Sequence, residues 1–430
     1  MMHYLNKIFI IILLSGLGAC NQTSNNKQAI HSTNEIKVTA KDILGNPDYL
    51  AISYGGYREK TRDIQPTIDE LKEDMKILHA MGVRVLRTYN VQLQMVPNLL
   101  QAISELKTAN SDFEMYIMLG AWIDCKNAWT ELAPDHNVES AQNKGEIGRA
   151  VALAKKYPEI VKIIAVGNEA MVKWAESYFV QPSIILKWVN HLQNLKKSGE
   201  LSEDLWITSS DDFASWGGAD AEYHTEDLAK LMNAVDYVSI HSYPYHNSHY
   251  NPDFWYVPEE EEDIEYIDKI NASMQRALEF TQSHYDSVSN YMSSLGIDKT
   301  IHIGETGWAT VSNGHYGPEG SRATDEYKQG RFYDLLREWT KEAGISCFYF
   351  EAFNEKWKDA NNHLGSENYF GLFTIDGKAK YPLWDLVDQG VFNGLTRNGN
   401  KITKTYNGSK KDLMKDVLVP PSKSGHMQVH

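Results

Sequence analysis

Val161-Lys-Ile-Ile-Ala-Val-Gly-Asn-Glu169 is apolar at nearly every position until a glutamate ends it. A second stretch, Ile301-His-Ile-Gly-Glu305-Thr-Gly-Trp308, has the same character and also carries a glutamate near its end. Strands that are apolar on both faces are typical of parallel sheets covered by helices. A carboxylate at the end of such a strand loses hydration unless it is hydrogen-bonded or has a chemical task. The two stretches therefore predict buried strands that each present a glutamate at one edge of a sheet.

Strand patterns and helix patterns alternate along most of the chain. Eight runs read as strands: 50–55, 83–89, 113–122, 161–169, 205–211, 235–243, 300–308 and 346–353. Helix-period segments lie between them: 67–81, 94–106, 145–157, 182–197, 264–295 and 325–343. Eight such units predict an α/β fold of the (β/α)8 TIM-barrel type. A doubly wound open sheet is the alternative, but the sequence has no glycine fingerprint for phosphate binding at a switch point.

The first twenty residues have the features of an export signal. A basic residue precedes a short apolar run, and Leu17-Gly-Ala-Cys20 follows it. That motif resembles the bacterial lipoprotein box, which implies lipidation of Cys20 and an exported protein anchored to a bacterial membrane at its periplasmic or cell-surface face. A plain secretory signal is the alternative. We expect a signal at 1–20, a flexible tether at 21–43, a barrel at 44–390 and a tail of unassigned role at 391–430.

Composition excludes some classes of function. The net charge is −15, whereas a nucleic-acid partner requires a basic surface. No spacing of Cys and His resembles a metal site, so we expect neither a metal nor another cofactor. Cys125 and Cys347 could pair, although buried free thiols are the commoner state beside core strands. A monomer is expected.

Polar and aromatic residues end almost every predicted strand. The carboxyl ends of barrel strands form the face on which barrel enzymes build their sites. Glu169 and Glu305 are expected to be the acid/base and nucleophile of a glycosidase, and the alternative is a pair of glutamates that cap helices. Five other strand-end residues are candidates for substrate binding or for packing: Tyr54, Arg87, Asn168, Tyr243 and Trp308.

Val166-Gly-Asn-Glu169 and Glu305-Thr-Gly-Trp308 resemble the two signature strands of glycoside hydrolase family 17, a family of β-1,3-glucanases and transglycosylases on a (β/α)8 barrel. Weaker matches in the same order include Phe353-Asn-Glu355-Lys-Trp-Lys358 and Glu367-Asn-Tyr-Phe-Gly-Leu-Phe373. The resemblance spans residues 50–383. Glu351 and the insertion at 246–263 depart from the plant enzymes of the family.

The resemblance implies a retaining hydrolase of β-1,3-glucan that uses Glu169 as acid/base, Glu305 as nucleophile and no cofactor. It also implies that Glu355, Lys358 and Glu367 line the substrate site. A retaining enzyme requires the two catalytic carboxyl groups to lie about 5–5.5 Å apart. A β-1,3-glucan transglycosylase is the nearest alternative, and a non-catalytic glycan-binding lipoprotein is the alternative from another class.

Overall fold

A computed structural model describes residues 38–426 of the chain. Eight parallel strands close into one barrel, in the order β1–β8–β7–β6–β5–β4–β3–β2. The strands are β1 (Leu50–Ser53), β2 (Val83–Arg87), β3 (Tyr116–Ala121), β4 (Val161–Asn168), β5 (Trp206–Asp212), β6 (Val238–His241), β7 (Ile301–Gly307) and β8 (Cys347–Phe350). The (β/α)8 barrel predicted from the alternating pattern is confirmed, and the open-sheet alternative is wrong.

Helices follow the strands around the barrel. They are α1 (Ile68–Ala80), α2 (Met95–Ala109), α3 (Asn143–Lys156), α4 (Pro182–Lys197), α5 (Glu226–Ala234), α6 (Tyr266–Ser294), α7 (Glu326–Glu342) and α8 (Trp384–Asp388). Local sequence signals set several of their ends. Thr67 and Glu70 form a reciprocal capping box at the start of α1, and Gly82 follows that helix with a φ of 92° that favours glycine.

Smaller elements decorate the barrel. Cys125–Lys126 pairs with Asp135–Glu139 after β3, and Thr396–Arg397 pairs with Asn400–Lys401 after α8. Short helices cover Ala40–Ile43, Pro244–Tyr250, Lys410–Leu413 and Lys423–His426. Cys125 and Cys347 are both buried free thiols, as the commoner state of such cysteines led us to expect.

The N-terminal boundary of the barrel lies earlier than predicted. Ala40, Ile43 and Leu44 are buried in one apolar cluster with side chains from five of the barrel strands. Those strand residues alternate with residues that face the helices, so the cluster fills the barrel interior. The tether predicted for 21–43 is therefore wrong at its C-terminal end, because the apolar side chains of Ala40 and Ile43 gain more by burial than they would as part of a solvated linker.

The segment after residue 390 is folded over the barrel up to residue 426. Arg397 is fully buried, and its Nε atom lies 2.8 Å from Oδ1 of Asp74 on α1. Its guanidinium also lies 4.0 Å from the ring centre of Phe353, just after β8. The described residues of this tail, to which the sequence assigned no role, therefore form a strap over the barrel.

No helix among residues 38–426 has both the length and the apolar character required to cross a membrane. The predicted signal and Cys20 lie outside the described residues.

Candidate active site

Side chains at the carboxyl ends of the barrel strands line a cavity of about 860 Å³. Glu169 and Glu305 both face it, as the sequence predicted. Its walls are strongly aromatic, with rings from Trp174, Phe213, Tyr243, Tyr250, Tyr316, Phe350 and Phe370. Aromatic faces flanking carboxylates suit a ligand that has both apolar and hydroxylated surfaces.

Glu305 is held as a carboxylate by three donors. Tyr243 donates to its Oε1 atom at 2.7 Å, Tyr89 donates to its Oε2 atom at 2.8 Å, and the guanidinium of Arg87 also pairs with Oε2. Burial alone would raise the pKa of Glu305, but the charge of Arg87 and these hydrogen bonds outweigh burial and hold the pKa below its ordinary value. Glu305 is therefore anionic at neutral pH, as a nucleophile must be.

Arg87 occupies the centre of the site. It is the last residue of β2 and is buried, so its charge requires partners inside the protein. Besides Glu305, its Nη2 atom lies 2.5 Å from Oδ1 of Asn168 and 3.2 Å from Nε2 of His241. The guanidinium thus links the ends of β2, β4, β6 and β7, and fixes Glu305 relative to the strand that carries Glu169.

Glu169 follows β4 with a φ of 46°, an uncommon conformation for a residue other than glycine. Its backbone N–H donates to the Ser210 carbonyl at 3.0 Å, which holds this turn against β5. Burial raises the pKa of Glu169, and the negative charge of Glu305 raises it further. Glu169 is therefore the carboxyl of the pair that retains a proton, as a general acid must.

His241 orients Glu169. Burial lowers the pKa of His241 to about 4, so the ring is neutral at physiological pH. Because a guanidinium can only donate, the Nε2 atom that faces Arg87 must accept, and the ring proton lies on Nδ1. Nδ1 is 3.0 Å from Oε1 of Glu169, so the imidazole donates to that oxygen. The other oxygen of Glu169 remains available for a proton.

One carboxylate oxygen from each glutamate and a His241 ring nitrogen lie within 4.8 Å of one another. An oxygen–oxygen approach of this kind is compatible with the spacing of retaining glycosidases, in which the carboxyl groups lie about 5–5.5 Å apart. Three such groups could also ligate a cation. The guanidinium of Arg87, already bonded to Glu305 and adjacent to His241, opposes a second positive charge at this position.

The residues predicted to bind substrate divide into groups. Tyr243 and Glu367 line the cavity, whereas Arg87 and Asn168 contact each other beneath it. Glu355 and Lys358 lie in a neighbouring buried cluster, in which the Lys358 ammonium is 3.6 Å from Glu355 and 3.4 Å from Glu351. That ammonium is also 4.0 Å from the ring centre of Phe350, which lines the cavity.

Two predicted substrate-binding residues are corrected by the structure. Tyr54 is 1% exposed, and its hydroxyl donates to Asp74 on α1 at 2.9 Å. Trp308 is fully buried, and its indole N–H donates to the Ala323 carbonyl at 2.8 Å. Both rings point into the layer between barrel and helices, where no substrate reaches them.

Several residues of the site were not among those that the sequence predicted to act there. Tyr89 lies two residues beyond Arg87, and its position at a strand end was the available signal. His241 carried the same signal, but a lone histidine in a strand is equally often a packing residue. His246, Asn247 and Tyr250 come from the short helix after β6, within the insertion at 246–263. Their approach to the cavity depends on loop geometry that the sequence pattern does not encode.

A barrel that presents one anionic and one protonated glutamate at this spacing defines a glycoside hydrolase. The sequence model of the BtgE/BtgC glycoside hydrolase domain matches residues 51–371, and the chain belongs to this family.

Known structures and sequences agree with this assignment. The chain resembles an endo-laminarinase from Formosa Hel1_33_131 at 66% identity and a TM-score of 0.89, over 90% of this chain and 98% of that one. It shares its fold with a glycoside hydrolase family 17 β-1,3-glucanosyltransferase from Rhizomucor miehei, at 18% identity and a TM-score of 0.53, over 78% and 96% of the two chains. The resemblance drawn from the two glutamate motifs is confirmed.

A sequence relative is the probable glucan endo-1,3-beta-glucosidase btgC of Aspergillus fumigatus. It is 23% identical over 311 residues, which is 71% of this chain. The match spans 37% of that relative's own length.

Proposed function

We propose that the protein hydrolyses β-1,3-glucan of the laminarin type with retention of configuration at the anomeric carbon. The observation that carries this proposal is the glutamate pair, in which Arg87 keeps Glu305 anionic while burial and Glu305 keep Glu169 protonated. The closely similar endo-laminarinase and the relative named as a glucan endo-1,3-beta-glucosidase support the choice of substrate.

In the first step a glucosyl unit occupies the cavity with its anomeric carbon next to Glu305. The carboxylate attacks that carbon while Glu169 gives its proton to the departing glycosidic oxygen. Tyr243 and Tyr89 fix the orientation of Glu305 through its two oxygens, so little reorganisation is required before attack. The products are a covalent glycosyl-enzyme and a shortened glucan.

In the second step Glu169, now deprotonated, accepts a proton from a water molecule that attacks the glycosyl-enzyme. Formation of the glycosyl-enzyme removes the charge of Glu305, so the pKa of Glu169 falls and its basic form becomes favourable. The His241 N–H donates to the new carboxylate and stabilises it. Release of glucose or an oligosaccharide restores both glutamates.

Turnover of laminarin tests this proposal against its two alternatives. We expect purified protein to release reducing ends from linear β-1,3-glucan, while a Glu305→Gln variant releases none. Binding without turnover would support the glycan-binding alternative and contradict hydrolysis. Mass spectrometry of the products distinguishes a hydrolase from a transglycosylase, since a transglycosylase yields oligosaccharides longer than the starting material.

We also propose that the protein is exported and anchored to a bacterial membrane through lipid on Cys20, because Leu17-Gly-Ala-Cys20 follows a short apolar run. A Cys20→Ser variant is expected to move from the membrane fraction to the soluble fraction, whereas Ser24→Ala, a control in the same segment, stays in the membrane fraction. Membrane partition that Cys20→Ser leaves unchanged contradicts the anchor.

A single chain is proposed to be the active form, since every residue of the described site comes from one chain. Light scattering at working concentration checks this, and a dimer mass contradicts it.

A further inference from the structure

Three aromatic rings form a surface outside the cavity. Trp129 stacks on Tyr178 with ring centres 4.9 Å apart and planes 21° from parallel. Trp122 lies 5.4 Å from Tyr178 and 6.3 Å from Trp129. We call these three residues the aromatic platform. Trp129 is 62% exposed, although a ring of this size normally buries more of its surface.

The backbone at the exposed ring of Trp129 adopts an energetically unfavourable conformation. Trp129 has a φ of 61°, a left-handed conformation that is a genuine outlier for a bulky side chain. The turn is fixed by the Thr130 hydroxyl, which donates to the Asn127 carbonyl at 2.8 Å, and by the Asn127 side chain, which donates to the Ala133 carbonyl at 3.0 Å. Packing does not explain backbone strain at a residue whose side chain is exposed. Such strain indicates a functional position.

The platform is continuous with the catalytic loop. Trp122 directly follows β3, which pairs with β4, the strand that Glu169 follows. The Cys125 N–H donates to the Tyr178 carbonyl at 3.1 Å and joins the hairpin after β3 to the loop after Glu169. That same loop carries Trp174, which is 63% exposed and lines the cavity.

Strand order places the platform on the same side of the barrel as Glu169, the proposed acid. In the proposed mechanism Glu169 protonates the oxygen of the leaving sugar, so that oxygen lies beside Glu169, and the loop after Glu169 also carries Tyr178 of the platform. Burial raises the pKa of Tyr178, and the charge of Glu169 raises it further, which agrees with a position close to the acid.

We propose that the aromatic platform binds a glucosyl ring of the leaving-group side of the substrate, beyond the units held in the cavity. The flat apolar face of a β-glucosyl ring stacks on an exposed indole, and Tyr178 supports that indole from beneath. This inference rests on the proposed function and adds to it a binding site that favours long chains. In transfer reactions, the same surface would hold an acceptor sugar.

Replacement of Trp129 by glycine tests the platform, because glycine adopts the left-handed conformation without strain. We expect a melting temperature equal to or above that of the unaltered protein. We also expect the ratio of kcat/KM for laminarihexaose to kcat/KM for 4-nitrophenyl β-laminaribioside to fall about five-fold. The aryl substrate has no sugar on the leaving side and serves as the reference. Trp129→Tyr should keep most of the ratio, and Tyr266→Ala, an exposed aromatic of α6, should leave it unchanged.

An unchanged ratio in Trp129→Gly overturns the platform, as does an equal loss on both substrates accompanied by a lower melting temperature. Calorimetry of laminarihexaose in a Glu305→Gln background separates this inference from the proposed function. Weaker binding when Trp129 is also replaced supports the platform even if the unaltered protein cleaves no glucan. Equal binding with and without the ring contradicts the platform even if glucan is cleaved.

Discussion

Glu169 and Glu305 have the same side chain, but their neighbours favour opposite protonation states. Glu305 is surrounded by donors and a guanidinium, whereas Glu169 is partly buried beside a negative charge and, among residues 38–426, its side chain receives a hydrogen bond only from neutral His241. The chemistry therefore depends on which residues the fold places within about 3 Å of each carboxyl group. Arg87 matters most, because it contacts Glu305, the proposed nucleophile, and lies beside His241, which donates to Glu169.

The hydroxyl of Tyr243 is expected to set the acid limb of the pH profile. Tyr243→Phe removes a donor to the ionised form of Glu305, so the pKa of that carboxyl rises. A hydrogen bond to a charged group contributes about 1.5–3 kcal/mol, which corresponds to a shift of about one to two pH units. The acid limb of kcat/KM should move upward by this amount. Tyr54→Phe removes a hydroxyl bonded to Asp74 and should leave the limb in place; equal profiles for Tyr243→Phe and the unaltered protein contradict the account.

The sequence located the two cavity-facing glutamates better than it located the residues around them. Glu169 and Glu305 were predictable because packing alone seldom places an ionisable residue at the end of an apolar strand. Tyr54 and Trp308 also end strands, yet both rings turn toward the helices, because side-chain direction after the last strand residue depends on the local backbone. An aromatic residue suits both a core and a sugar site, so the residue type alone does not predict the direction of the ring.

At the scale of elements, the C-terminal strap ties α1 to the end of β8. Arg397 and Asp74 are both fully buried and form a two-pronged pair, since Nη2 of Arg397 also lies 3.2 Å from Oδ2 of Asp74. The Tyr54 hydroxyl donates to the same carboxylate. The strap thus closes the barrel where its first strand meets its last.

Loss of Arg397 is expected to destabilise the whole fold. Arg397→Met leaves the Asp74 carboxylate with Arg58 as its remaining cationic partner, so the loss of unfolding free energy should approach but not exceed the roughly 3–5 kcal/mol that an unpaired buried charge costs. Equilibrium denaturation by urea measures this loss. Lys230→Met removes an exposed partner of Glu226 on α5 and should cost at most about 1 kcal/mol. A loss for Arg397→Met no larger than that of Lys230→Met would contradict a structural role for the strap.

Elements with strong apolar patterns were predictable, and short ones were not. Seven of the eight barrel strands lie within the predicted runs, and β5 extends one residue beyond its run, to Asp212; the strands were predictable because both of their faces are buried. The helix α5 spans nine residues and was missed, as was the hairpin after β3. In α5 the apolar residues Leu228, Leu231 and Met232 cover a single helical repeat, which is too short to stand out, and the two strands of the hairpin are only two and five residues long. The N-terminal boundary was misplaced for the same reason, because a single turn of helix at residues 40–43 has no periodicity to detect.

At the scale of the molecule, a closed barrel brings residues that are distant in sequence to one face. Glu169 directly follows β4, Glu305 lies on β7, and Arg87 at the end of β2 pairs with Glu305. Parallel strands all end at the same face, so the topology alone accounts for this convergence. The rigid sheet then holds both carboxyl groups within the short range that a covalent glycosyl intermediate requires.

The measurement that tests this pair most directly is rescue of Glu169→Ala by azide on an activated aryl β-glucan substrate. Such a leaving group departs without a proton, so the glycosyl-enzyme still forms on Glu305 and then accumulates, because no base activates water. Azide requires no deprotonation and fits the space left by the carboxyl group. We predict restored turnover and a β-configured glycosyl azide, identified by NMR. An α-configured azide from Glu169→Ala would mean that Glu169 is the nucleophile and would contradict the assignment.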